Sequence, residues 1–397
     1  MNLKLIALSC LFLSSQISYL YGSVAPIVIL FGFFLCLLLL LSGNIKSKYT
    51  LGEWFGLFLY SSMLALSVAL FFWGEYGPFP PRTLYLTAIV QFLIFILLLN
   101  LNDSEINGAK NIVLISLLIE LFVVLGQFSF VSYGFGFEQK NEMDILGIGG
   151  TMYNPNNTSV SMASMFFAVY IWSVTVKKHG TLYWAITLLT CLGVFYTLSR
   201  TAFYFLLVFL LVAVVNKYYV ASFKKRLLMV FIVGVMAFLC TSYFVYLNGV
   251  VSQGSNELVG RSYDRIFSVV NIDSDDSVAF RLVSYIRLLD NIFNLGIGSF
   301  SDLNYFVFFE HGDDPLAKVN PHAFIPEYSF LFGYMGLFVS VGLVLYHSTV
   351  VFLNKNVDAL FRLVCIMAII FFQSVPSSIL VNPIFFAPFF LISKVRK

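Results

Sequence analysis

Residues 320–336 read Asn320-Pro321-His322-Ala323-Phe324-Ile325-Pro326-Glu327-Tyr328-Ser329-Phe330-Leu331-Phe332-Gly333-Tyr334-Met335-Gly336, and the apolar run they open continues to His347. A long polar segment ends here and a membrane-length stretch begins, so a histidine sits where the chain passes from water into lipid. Asn320 is a good helix N-cap and Pro321 suits the first helical position. His322 would then lie in the first turn, where the positive end of the helix dipole disfavours imidazolium. A neutral imidazole at such a place can act as a general base. Pro326 allows two outcomes: it kinks the helix, or it marks the true start and leaves His322 in the loop. Anchoring or capping the span is the simpler role for a lone histidine.

Working outward, 59% of the 397 residues are hydrophobic and 11% are charged, with a mean hydropathy of +0.89. Soluble chains carry about 25% charged residues, so this is a polytopic, all-α membrane protein. Lys4 followed by an apolar run resembles a leader, but no small-residue cleavage site follows and the next apolar run begins at once. An uncleaved first span is expected. Cys10, Cys36, Cys191, Cys240 and Cys365 all fall in apolar runs, with neither a disulfide framework nor metal-ligand spacing. The net charge of +3 comes from scattered bases and gives no nucleic-acid surface.

A span needs roughly 20 apolar residues. On that rule about twelve spans are expected, near 3–21, 24–43, 51–73, 83–101, 111–131, 157–176, 181–199, 201–216, 227–247, 324–347, 359–375 and 378–393. They form a single membrane domain, 1–397, with one large, partly helical outer loop, 248–320, between the ninth and tenth. Placing both termini in the cytoplasm puts fifteen of the 23 basic residues on the inner side, as the positive-inside bias requires. Twelve of those fifteen are lysine, whereas six of the remaining eight are arginine: Arg82, Arg200, Arg261, Arg265, Arg281 and Arg287. Arginine gathered on the outer side suggests a ligand, because its planar fork grips phosphate oxygens in pairs. Pairing with loop acids such as Asp264, Asp273, Asp276 and Asp290 is the competing use.

Three outer loops carry most of the polar material. Gly74–Arg82 is stiffened by three prolines. Ser132–Asn157 is glycine-rich and ends in Asn154-Pro155-Asn156-Asn157, where Asn156 or Asn157 is expected to cap the next span. In the third loop, Val278–Phe293 alternates at helical spacing, with Leu282, Ile286, Leu289 and Phe293 on one side and Arg287, Asp290 and Asn294 on another. An amphipathic helix lying on the membrane surface is expected there. Arg261 and Arg265 would share a helical face, and Gly296-Ile297-Gly298 reads as a helix stop.

Ionisable residues inside spans are site candidates. Glu120 lies mid-span with no evident partner and is either a neutral packing residue or a functional group. Arg200 marks the turn between two spans and faces the arginine-rich loop. Glu327 follows His322 by five residues. Arginines, a neutral histidine and a surface helix at one face suit group transfer from a lipid-anchored phosphate or pyrophosphate. The arginines would stabilise charge on the leaving group, and His322, oriented by Glu327, would take the proton of an attacking sugar hydroxyl. No nucleotide-binding glycine loop, metal cluster or nucleophile elbow is present.

These residues resemble the bacterial O-antigen polymerase and O-antigen ligase superfamily. His322-Ala323, nine residues, then Gly333-Tyr-Met-Gly336 is similar to the ligase motif of histidine, a small polar residue, nine residues and Gly-x-x-Gly, with Ala323 replacing the polar residue. Ser199-Arg200-Thr201 and Asn154-Pro155-Asn156 resemble further segments. Arg281 with Gly296-Ile297-Gly298, and Arg287 followed by ten residues and Gly298, are similar to its loop patterns. The resemblance covers roughly 154–346. It implies a GT-C-like, metal-independent glycosyltransferase with no cofactor, acting on undecaprenyl-pyrophosphate-linked oligosaccharide at the outer face of the bacterial cytoplasmic membrane. The product would be O-antigen, capsule or exopolysaccharide. A polymerase passes the growing chain to the next lipid-linked repeat unit; a ligase passes it to lipid A core. The absent polar residue at 323 leans towards a polymerase. The resemblance also implies His322, Arg281 and Arg200 as catalytic, Arg265, Arg287, Arg82, Arg261 and Glu327 as substrate-binding, and a chain-length regulator and a flippase as partners.

Two readings compete from other classes. A secondary transporter could use Glu120 to carry protons, although no repeat of halves is visible. A non-catalytic envelope scaffold would tolerate loss of His322.

Overall fold

The computed structural model describes residues 2–20, 24–43, 48–73, 81–130, 149–152, 154–175, 181–197, 199–218, 222–231, 276–298, 308–311, 314–318, 323–374 and 382–396. The apolar runs fold into helices α1 (Leu3–Phe12), α2 (Ser14–Leu20), α3 (Ala25–Leu41), α4 (Leu51–Trp73), α5 (Pro81–Leu99), α6 (Asp103–Phe130), α7 (Pro155–Thr175), α8 (Thr181–Tyr196) and α9 (Arg200–Tyr218). The segment between α9 and the next long helix supplies α10 (Asp276–Asp290) and an antiparallel hairpin of β1 (Phe308–His311) and β2 (Asp314–Lys318). The chain closes with α11 (Phe324–Leu353), α12 (Ala359–Phe372) and α13 (Ala387–Ser393).

Among the described residues five helices are long and apolar enough to cross a membrane: Leu51–Leu70, Asp103–Gln127, Pro155–Thr175, Arg200–Lys217 and Phe324–Leu353. A sixth span forms if α1 and α2, bent by 54° at their junction, cross as one. The protein is therefore a polytopic, helical membrane protein, and the hairpin is an addition in the loop that the periodicity did not anticipate. The 227–247 run is described only to residue 231, as a helical stretch over 223–231. The expected span 378–393 is not one continuous helix: turns over 383–386 precede the seven-residue α13, because Pro383 and Pro388 interrupt the run.

α7 forms the centre of the bundle, buried along nearly its whole length. Its Phe167 stacks on Phe209 of α9 at 4.2 Å, and Phe166 lies edge-on to the same ring. Its start also corrects the expected cap. Asn154, not Asn156 or Asn157, accepts from the backbone N–H groups of Asn156 (3.0 Å) and Asn157 (3.2 Å). With Pro155 at the first helical position, the cap must be the residue before it.

Glu120, without a partner in the sequence, has several in the fold. Its carboxylate accepts from the Thr151 backbone N–H at 2.8 Å, the Thr151 hydroxyl at 2.5 Å and the Gln16 amide at 3.4 Å. Gln127, two turns on, accepts from the Gly150 N–H at 2.9 Å. Together they hold Gly150 and Thr151 to α6. Removing a fully buried acceptor leaves its donors unpaired, so Glu120→Ala is expected to cost about 1–3 kcal/mol, read as a lower Tm of the detergent-purified protein.

The two ends of the bundle differ in charge. At one end Lys4 pairs with Glu105 (3.6 Å), Arg226 with Asp358 (2.9 Å), Lys394 with Glu53 (3.8 Å) and Arg396 with Asp103 (2.6 Å). The four basic partners all belong to the set assigned above to the inner side. At the opposite end α11 begins and α12 stops, joined by a backbone bond from the Phe324 N–H to the Gln373 carbonyl (2.9 Å).

Candidate functional site

The surface helix α10 has two faces. Leu282, Ile286 and Leu289 are exposed, and the line continues past the helix end to Phe293 and Ile297, 90% and 82% exposed. This is the apolar side expected of a helix resting on lipid. Arg281, Ser284, Tyr285 and Leu288 recur at helical spacing on the other side. Ser284 and Leu288 are buried and Arg281 is half-buried, and Leu288 packs with Leu295 and with Phe330 of α11.

Tyr285 is the meeting point. Its hydroxyl lies 3.0 Å from the Ser374 hydroxyl and accepts from the Gln373 amide at 2.5 Å. Burial pushes the phenol above its ordinary pKa, against the opposing pull of those two bonds, and it feels both the Glu327 carboxylate and the Arg281 guanidinium. The Tyr285 hydroxyl thus lies within electrostatic reach of a base of its own helix and an acid of α11. Glu327 is fully buried in the first turns of α11.

The helix start settles the question that Pro326 raised. α11 begins at Phe324 with Ala323, extended at φ −149°, as its N-cap. The cap that the structure describes is thus Ala323, whereas the expected cap Asn320 and His322 lie outside the described residues. Pro326 occupies the third helical position, where a missing N–H is not needed by the helix.

The glycines have a steric explanation. Gly333 breaks α11 with φ +61° and ψ −141°. The chain of Gly296-Ile297-Gly298 docks against that break: the Tyr334 N–H donates to the Gly296 carbonyl at 3.2 Å, and a Cβ on Gly333 would come within 2.6 Å of the Gly298 nitrogen. Gly298, at φ +85°, faces the Leu331 carbonyl and the Gly333 nitrogen with no room for a side chain. When the helix resumes, Gly336 passes directly under the Tyr328 carbonyl, so the three-residue spacing follows from the fold-back at the break. The loop motif and the helix motif are two halves of one backbone contact, which fixes α10 relative to α11.

Of the site residues expected from sequence, Arg281 and Glu327 both lie within electrostatic reach of the Tyr285 hydroxyl. Arg200 is the half-buried first residue of α9, beside Tyr204 one turn on. It lies at the same end, since Phe205 packs on Phe371 and Phe372 of α12, ring centroids 5.5 and 5.3 Å away. Arg287 is half-buried but off the stripe that carries Arg281 and Tyr285. Arg82 lies in the first turn of α5, with its side chain outside the described set. His322, Arg261 and Arg265 lie outside the described residues. Among the described residues no group of three or more His, Cys, Asp or Glu is placed to hold a metal ion.

Sequence reasoning missed Tyr285, Gln373 and Ser374. The available signals were a tyrosine one turn after Arg281 and a Gln-Ser pair closing an apolar run. A guanidinium one helical turn from a half-buried phenol can grip a phosphate group and orient a hydroxyl beside it. No curated protein and no solved structure matched the chain. Residues 185–341 match the sequence model of a family described as O-antigen ligase. That segment runs from α8 through Arg200, α10 and both glycine motifs into α11, and the match over it supports the O-antigen polymerase and ligase superfamily.

Proposed function

We propose that the protein is a polysaccharide polymerase that transfers an undecaprenyl-pyrophosphate-linked glycan onto the next lipid-linked repeat unit at the outer face of the cytoplasmic membrane. The observation that carries this is the junction of α10 and α11, where the Tyr285 hydroxyl feels both Arg281 of its own helix and Glu327 near the start of α11. Arg281 and Arg200 hold the diphosphate and stabilise charge as it leaves. His322 takes the proton of the attacking sugar hydroxyl, with Glu327 orienting it. Arg265, Arg287, Arg82 and Arg261 serve as further contacts. The exposed side of α10 rests in the lipid surface and brings the headgroup of the carrier to Arg281. No metal or cofactor takes part in this scheme.

The family description favours one second reading, a ligase that delivers the glycan to lipid A core. An acceptor swap in membrane vesicles separates the two: lipid A core as the sole working acceptor ends the polymerase reading. The test of the shared chemistry is Arg281→Lys. It keeps the charge but loses the paired contact, so glycan transfer is expected to fall by about 1.5–3 kcal/mol of transition-state binding, roughly 10–100-fold. Unchanged transfer would remove Arg281 from the diphosphate.

A further inference from the structure

Ala323 stands at an N-cap and offers no side-chain oxygen to the first N–H groups of α11, yet buried orphan donors at a helix start must be satisfied. Gln373, at the end of α12, supplies what Ala323 lacks. Its backbone carbonyl accepts from the Phe324 N–H at 2.9 Å, and its side-chain oxygen lies 3.4 Å from the Ile325 N–H. The other side of the same amide faces α10: Nε2 donates to the Tyr285 hydroxyl at 2.5 Å and to the Ser374 hydroxyl at 2.9 Å. Gln373 is buried, so this geometry is not shared with bulk water. A single side chain therefore ties the helix that carries Arg281 to the helix turn that follows His322. Only a primary amide has both the acceptor for one and the donors for the other.

We infer that Gln373, acting through Tyr285, is a positioning residue that sets the separation of the Arg281 helix from the first turn of α11 in the transfer site. The inference rests on the proposed transferase reading. Gln373 touches neither phosphate nor sugar. It fixes two elements whose relative placement decides whether the leaving diphosphate and the attacking hydroxyl are aligned, and misplacement by about 1 Å costs on the order of 100-fold in rate. Substrate can still dock on α10 by its charge and its lipid tail, so the loss falls on turnover rather than on binding.

The experiment uses membrane vesicles holding the full chain, with purified lipid-linked repeat units as donor and acceptor, and measures kcat and KM. Gln373→Ala is expected to lower kcat about 10–100-fold while KM for the donor stays within about threefold. Tyr285→Phe, which removes one hydroxyl, is expected to lower kcat about 3–10-fold. The double variant should be no slower than Gln373→Ala, because both break the same link. A Gln373→Ala kcat within twofold of the unaltered protein, or losses that multiply in the double variant, would overturn the inference. If Gln373→Ala does not reach the membrane, Tyr285→Phe decides alone: unchanged turnover overturns the inference, and the smaller drop at constant KM supports it. His322→Ala in the same vesicles separates the two levels. Inactive His322→Ala beside fully active Gln373→Ala removes only the positioning role, whereas fully active His322→Ala removes the transferase reading and the inference with it.

Discussion

Replacing His322 with alanine is expected to stop glycan growth almost completely, with turnover reduced by about 10²–10⁴-fold. Short lipid-linked units should accumulate where a ladder of long chains stood, and gel separation of labelled glycan reads both. The size of the effect follows from the role. A sugar hydroxyl is a poor nucleophile until its proton is taken, and the first described acid that follows in sequence, Glu327, is fully enclosed in the first turns of α11. His347 provides the contrast. It is fully buried deeper in α11, 2.9 Å from the Tyr60 hydroxyl and stacked on Phe386 at 4.4 Å, where no substrate hydroxyl can reach it. His347→Gln should therefore leave the ladder in place, with any effect confined to stability. A normal ladder from His322→Ala would instead support a non-catalytic scaffold.

The second large effect is expected at Gly298. A methyl group there must adopt φ +85°, a conformation that costs an L-residue about 1–2 kcal/mol. It must also displace backbone atoms, the Leu331 carbonyl and the Gly333 nitrogen, rather than the end of a flexible side chain. Overpacking of that kind adds about 1–3 kcal/mol. Gly298→Ala is thus expected to lose about 2–5 kcal/mol in total and to release α10 from the break in α11, with glycan transfer lost alongside. Gly296→Ala is the internal control. It also has a positive φ, +54°, but nothing lies within 4 Å of its Cβ position, so only the conformational cost of about 1–2 kcal/mol applies. Thermal unfolding in detergent ranks the two. Equal losses would mean that backbone crowding at Gly298 is not what the motif protects.

Hydropathy alone determined the class of this protein. No soluble chain hides so much apolar surface, and each apolar run that folds alone as a helix satisfies its own backbone groups. Period 3.6 likewise located α10, since a helix between water and lipid must sort its side chains by face whatever it packs against. The order of histidine, Gly-x-x-Gly, Ser-Arg-Thr and Asn-Pro-Asn was enough to point to the superfamily. Tertiary structure alone decided how these pieces meet. Asn154 rather than its neighbours caps α7, Ala323 ends the approach to α11, and the cap that Ala323 lacks comes from Gln373, fifty residues away. Glu120 had no partner until the loop at Thr151 returned to it. The glycines at 298 and 333 could be read as helix breakers but not as one contact. Local propensity depends on neighbours along the chain, whereas caps supplied from elsewhere, buried hydrogen bonds and backbone-to-backbone crowding depend on which distant segments pack together, and that is settled only by the fold.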